Sequence, residues 1–208
     1  MPFSSYASVG EVARAYRISC SKESFIQPLP MPVSEHLRAE LDFALRRVGF
    51  EGSEAAVCEN LVFPILREVW KCNYLDMLEL WSHIPLDYDT DLSGTPDYFL
   101  ARRSALGNVV TEEPYLLIVE AKKDDFVRGW GQCLAAMLAA QKLNERPDVV
   151  MRGITTNGRA WEFGQLQGAN FTQDLRPYSL LDLDQLCAAL NFTFDQCRRQ
   201  LAAFAPAA

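Results

Sequence analysis

A chain of 208 residues is one domain by size and long enough to bury a core of its own. With 49% hydrophobic and 23% charged residues it has the balance of a soluble globular protein, which excludes wholesale disorder. The formal net charge of −7 excludes a protein that coats nucleic acid by bulk electrostatics, so any basic groove must come from a few Lys and Arg on one face.

Residues 1–33 read as an N-terminal segment: a short helix near Val9–Tyr16, then the Pro-rich stretch Gln27-Pro28-Leu29-Pro30-Met31-Pro32, an extended tether into a single α/β domain over 34–208. Ser34 caps a helix whose Leu37, Leu41, Leu45 and Val48 recur at helical spacing, and Gly49 stops it. A second helix runs from Ser53 to about Trp70, with a kink expected at Pro64. From Leu75 the period changes to alternation, with Leu78, Leu80 and Ile84 against Glu79, Trp81 and His83, which predicts a strand. A turn-rich loop over 87–96 precedes a strand at 98–101, and 115–121 reads as a strand apolar on both faces. An Ala-rich helix over 130–144 follows, then strands at 149–155 and 160–163 joined by a turn at Asn157-Gly158, and a closing helix over 180–204. Helix, three strands, helix, two strands and helix make an α/β sandwich around a mixed sheet.

No apolar run reaches the ~20 residues of a membrane span, and the first residues lack the basic-then-apolar pattern of a secretory leader. Six cysteines without a C-x-x-C pair, and only two histidines, offer no zinc site of ordinary spacing. They read as buried thiols in a reducing cytoplasm, with no membrane partner. The histidine shortage also weakens a cysteine-hydrolase reading, in which Cys58 or Cys133 would need His83 as partner.

Three charged residues stand where charge is expensive. Asp97 opens a strand after Gly94-Thr95-Pro96, Glu120 closes an apolar strand, and Lys122 points to the same face as Glu120 if the strand continues. Two carboxylates at strand ends suit a hard divalent cation such as Mg²⁺, and a lysine beside it can act on a water or a phosphate. Each residue has a plainer reading. Asp97 alone fits a turn, Glu120 and Lys122 alone fit a structural ion pair, and Glu54 alone fits a first-turn carboxylate favoured by the helix dipole.

Pro96-Asp97 followed by Glu120-Ala121-Lys122 resembles the motif of the PD-(D/E)XK nuclease superfamily, closest to the nuclease domain of type I restriction motor subunits and the RecB-like branch. The resemblance covers roughly residues 53–165 and includes Gln132 at the start of the following helix and the hairpin Thr156–Phe163. It implies a restriction-endonuclease-like αβββαβ core, with the central sheet flanked by helices and with N- and C-terminal helical additions. It also implies a Mg²⁺- or Mn²⁺-dependent nuclease acting on nucleic acid, DNA by family analogy, and working as a homodimer or in a larger complex. Asp97, Glu120 and an accessory acid would hold the metal, Lys122 would act on the attacking water, and Gln132 would support metal or water. Glu59, mid-helix, is preferred over Glu54 as the accessory acid because capping does not explain it. Lys123, Arg128, Arg102, Arg103, Arg152 and Arg159 either line a phosphate groove or are solvated surface. The competing expectation is a catalytically silent binding or assembly module, favoured by the net charge and the tether.

Overall fold

An eight-stranded mixed sheet separates two apolar layers. This computed structural model describes residues 2–204, the side chain of Glu51 excepted. In chain order the elements are α1 (Val9–Tyr16), β1 (Ser19–Glu23), α2 (Glu35–Arg47), α3 (Glu54–Val57), α4 (Phe63–Asn73), β2 (Leu78–Ser82), β3 (Leu86–Asp87), β4 (Ser93–Gly94), β5 (Tyr98–Arg102), β6 (Glu112–Ala121), α5 (Phe126–Leu143), β7 (Met151–Thr156), β8 (Ala160–Gln167), β9 (Asn170–Asp174), β10 (Tyr178–Ser179) and α6 (Leu183–Gln200). The sheet runs β1-β9-β8-β7-β6-β5-β2, with β10 also paired to β8, while β3 and β4 form a separate two-stranded ribbon. β1–β9 and β6–β7 are parallel and the other pairs antiparallel. The expected mixed α/β sandwich is therefore the one found.

β6 explains why its sequence reads as continuously apolar. Leu117, Val119 and Ala121 enter the layer built with α2, α3, α4 and α6, whereas Ile118 enters the layer built with α5 and α1. The Ala-rich face of α5 lets that helix lie close to the sheet, and Ala135, Ala136, Ala139 and Ala140 are all fully buried.

The helix expected over 53–70 is one continuous rod with a π-turn at Cys58–Val62 joining α3 to α4. Pro64 has no N–H to return to Asn60, and the Phe63 N–H reaches back five residues to the Cys58 carbonyl. The effect of the proline thus emerges one turn upstream, as a widened turn.

Three strands depart from the expected pattern. β1 (Ser-Cys-Ser-Lys-Glu) is exposed throughout, β9 carries a single apolar residue, Phe171, and β10 has two residues. β1 joins the edge in parallel with β9, so residues 19–23 extend the sheet. The loop expected over 87–96 contains the β3–β4 ribbon. The Pro-rich stretch has no helix or strand and is tied to α6: the Leu29 N–H donates to the Ala188 carbonyl, and the Asn191 amide donates to the Leu29 carbonyl. The closing helix is α6 with a 3-10 turn at each end.

Residues 2–8 lie across α5. A Cβ on Gly131 would stand 2.7 Å from the Ser8 nitrogen and 2.8 Å from the Tyr6 oxygen, distances only a glycine allows. Arg128 also donates to the Ser4 carbonyl, and the Phe3 ring packs on Gly94. Gly131→Ala should therefore cost about 1–3 kcal/mol by overpacking, against a helix-propensity gain of only about 1 kcal/mol. Chemical denaturation measures the net loss, and hydrogen exchange should rise first at residues 2–8.

Candidate active site

Register brings two of the sequence-predicted residues, Asp97 and Glu120, together. Tyr98 pairs with Val119, so Asp97 lies one position further on, opposite Glu120; Glu120 pairs with Thr155, and Thr155 with Glu162. These four residues form one row across β5, β6, β7 and β8. They alternate with the residues of the other layer, so all four face α5, as do Phe99, Ile118, Met151 and Leu166. Asp97 and Glu120 are at the strand ends nearest the first turn of α5.

The local sequence holds that turn down on the row. Asp125 caps α5 by accepting from the Arg128 N–H. A Cβ on Gly129 would lie 2.6 Å from Thr155 Cγ2 and 3.1 Å from Lys122 Cγ, so glycine sets how closely helix and sheet approach there. Gln132, three residues on, shares that helix face and is 5% exposed, without a hydrogen-bond partner among the described residues.

The Asp97 carboxylate is pinned across the strands, with Oδ2 accepting from the Ala121 N–H at 2.7 Å. Lys122 is held beside β7 by its own N–H, which donates to the Thr156 carbonyl. Its Nζ lies 3.1 Å from Glu120 Oε1 and 3.3 Å from Glu54 Oε2. Asp97, Glu120 and Lys122 thus gather where the strands end under α5, while Gln132 is buried on that helix without a hydrogen bond to them. Glu59 does not join them directly: it is exposed, makes no ion pair or side-chain hydrogen bond among the described residues, and lies near enough to Tyr98 to act on it as a charge. Of the two helix acids, Glu54 is the one that touches Lys122.

His83, read from the sequence only as a possible cysteine partner, lies beside Asp97. Its N–H donates to the Asp97 carbonyl at 2.9 Å, its Nε2 lies 3.5 Å from Asp97 Oδ1, and its Nδ1 lies 2.8 Å from Ser82 Oγ. Its φ of 53° is left-handed, an uncommon conformation for a non-glycine residue. The usable sequence signal was its place just past β2, the strand that pairs with β5.

Electrostatics at the site are short of positive charge. Burial, then the facing Asp97, pushes the Glu120 carboxyl up to about 8, with Lys122 opposing the shift. Burial likewise raises Asp97, although the Ala121 N–H, Lys122 and His83 all pull it down. Lys122 is desolvated too, but Glu120 and Glu54 outweigh that and raise it, so it stays charged. Burial raises Cys58 to about 12 and raises Cys133 as well, so neither thiol has the thiolate character a cysteine hydrolase needs.

This donor set suits a hard divalent cation. Two desolvated carboxylates lie side by side, and the Lys122 ammonium beside them is already paired with Glu120 and Glu54. Among the described residues no three His, Cys, Asp or Glu side chains group in metal-holding geometry, so water and substrate oxygens would have to complete the coordination.

The basic residues divide. Arg102 and Arg103 lie at the opposite end of β5, bonded to the carbonyls of Phe204 and Leu75. Arg152 is buried in the other layer against Gln165. Arg128 holds the N-terminal segment, and Lys123 and Arg159 border a cleft beside Lys122.

With chelator present, the raised Glu120 pKa has a definite sign. A carboxyl whose folded pKa exceeds its unfolded value of 4.5 favours folding while protonated, so stability should fall as pH rises from about 4.5 to about 8. Glu120→Gln should flatten that decline, as measured by thermal midpoints between pH 5 and 8.5.

No protein-family model matches the sequence, and no curated protein matches it. Among solved structures, the chain is similar to one described as the cryoEM structure of a DrdV–DNA complex, with a TM-score of 0.46 and 12% identity over 76% of this chain. The chain spans 13% of the length of that protein. Among the described residues, no helix is long and apolar enough to cross a membrane.

Proposed function

We propose that this chain is a Mg²⁺- or Mn²⁺-dependent nuclease that hydrolyses phosphodiester bonds in DNA. The observation that carries the reading is the row in which Asp97 and Glu120 face each other from adjacent strands with the Lys122 ammonium beside them. A divalent cation held by Asp97 and Glu120 would supply Lewis-acid stabilisation of the phosphate and of the attacking water. Lys122 donates hydrogen bonds and accepts none, so its task is to hold a water or a phosphate oxygen. Glu120 and Glu54 fix the position of its Nζ, which makes Glu54 the accessory acid in preference to Glu59. Gln132, buried on α5, would hold a second water. Water attacks phosphorus and one ester P–O bond breaks, leaving a phosphomonoester and an alcohol.

The same ion pairs would persist in a catalytically silent assembly module, and Lys122 separates the two readings. If Lys122 only neutralises Glu120, Lys122→Ala strands a buried carboxylate and costs about 3–5 kcal/mol. If it is catalytic, the variant folds, keeps its metal-induced rise in thermal midpoint, and loses cleavage of a DNA panel. Glu120→Ala should lose both the rise and the cleavage. A wild-type chain that shows neither with Mg²⁺ or Mn²⁺ would overturn the nuclease reading. Glu54→Ala should slow cleavage more than Glu59→Ala, measured as single-turnover rates.

A further inference from the structure

A cleft of about 420 Å³ that the chemistry above does not use lies between the start of α5, the start of α1 and strands β1, β8 and β9. Its walls include Phe126, Val127 and Trp130 of α5, Glu162 and Gln173 of the sheet, and Lys22 of the edge strand. Glu162 belongs both to this cleft and to the row of Asp97, Glu120 and Thr155. It stands two strands from Glu120, about 10 Å at ordinary strand spacing, with the buried Thr155 between them. The cleft is thus the far end of the row.

Glu162 is held there in one orientation. Its Oε2 accepts from the Trp130 indole N–H at 2.6 Å and from the Gln173 amide at 3.0 Å. Its Oε1 makes no hydrogen bond among the described residues, and a carboxylate oxygen offers only acceptance. Phe126 adds an aromatic wall, and Val127, 67% exposed, adds an apolar lip. Lys22 is exposed, and its ammonium makes no ion pair or hydrogen bond among the described residues. An acceptor fixed by two donors, an apolar wall and a separate cation match the parts of a nucleotide: a donating base edge, a base face and a phosphate.

We infer that this cleft takes one nucleotide of the substrate strand, with an amino group of its base donating to Glu162 Oε1, the base against Phe126 and Val127, and its phosphate at Lys22. The inference rests on the nuclease reading and gives it a base preference. Cytosine presents such an amino group at N4, whereas thymine presents a carbonyl oxygen at O4, which a carboxylate repels. The two pyrimidines are alike in size, so Glu162 should favour cytosine. A lysine on phosphate adds affinity without base information.

The test separates base preference from cleavage. Fluorescence anisotropy with labelled deoxycytidine and thymidine homo-oligonucleotides in Ca²⁺, across a salt series, reads binding, and cleavage in Mg²⁺ is read separately. The wild type should bind the deoxycytidine strand roughly fivefold more tightly, the worth of one such hydrogen bond. Glu162→Gln keeps an oxygen for Trp130 and Gln173 and turns an amide N–H toward the cleft, so the preference should reverse to thymidine. Lys22→Ala should weaken both strands alike and lower the log–log salt slope by about 1. Circular dichroism and thermal midpoints confirm that both variants fold. If Glu162 only braces α5, Glu162→Gln leaves the relative affinities where they were, and the inference is overturned. Equal binding of the two strands by the wild type overturns it too. A wild type that cleaves without the preference loses the subsite and keeps the nuclease reading. One that shows the preference and its reversal without cleaving loses the nuclease reading and keeps the subsite. A wild type that neither binds nor cleaves overturns both.

Discussion

The facing carboxylates of Asp97 and Glu120 are the constraint on which the site depends. Two acids on adjacent strands, buried under a helix, repel each other in a medium that screens poorly. The surrounding arrangement offsets that cost: the Ala121 N–H on Asp97, Lys122 on Glu120, and His83 beside Asp97. These groups moderate the repulsion without cancelling it. What remains is met by a proton, which the Glu120 carboxyl holds up to about pH 8.

Close packing makes the arrangement rigid. Gly129 lets the first turn of α5 rest on Thr155 and Lys122, and Gly131 lets residues 2–8 rest on α5 in turn. The stack from sheet to helix to N-terminal segment therefore sits at minimal spacing at both contacts. Trp130, between the two glycines, donates to Glu162 at 2.6 Å, so even the far end of the polar row is anchored to the same helical turn. The Phe3–Gly94 contact closes the arrangement from the other side, steadying the approach to Pro96 and Asp97.

Where a residue pattern was dictated by burial, it could be read from the sequence. The two-sided apolar run of β6, the Ala face of α5 and the Ser34 cap of α2 all follow from local physics and are found in place. Asp97, Glu120 and Lys122 could be picked out as charges beside apolar strands, and the β5–β6 register sets Asp97 opposite Glu120. β1 and β9 were not, since an edge strand of polar residues has no pattern to show and is held by its neighbour's backbone. The contact of Glu54 with Lys122 was not legible for a related reason. Its position in the first turn has a sufficient local explanation, and only the tertiary approach of α3 to Lys122 reveals a further one. Glu59 was preferred for lacking a local explanation, but the π-turn that follows Val57 leaves it exposed. His83 needed the β2–β5 pairing before its proximity to Asp97 could be seen.

The glutamate that braces Lys122 is 68 residues away along the chain, and the carboxylate tied to the Ala121 amide is 24 residues away. The Glu120–Lys122 pair is local, formed between residues two apart, whereas the ties to Asp97 and Glu54 close over longer stretches, and closing distant contacts is slow because chain entropy must be lost before they form. The β5–β6 hairpin can therefore bring three of the charged groups together early, and the cluster is completed only when α3 docks against the end of β6.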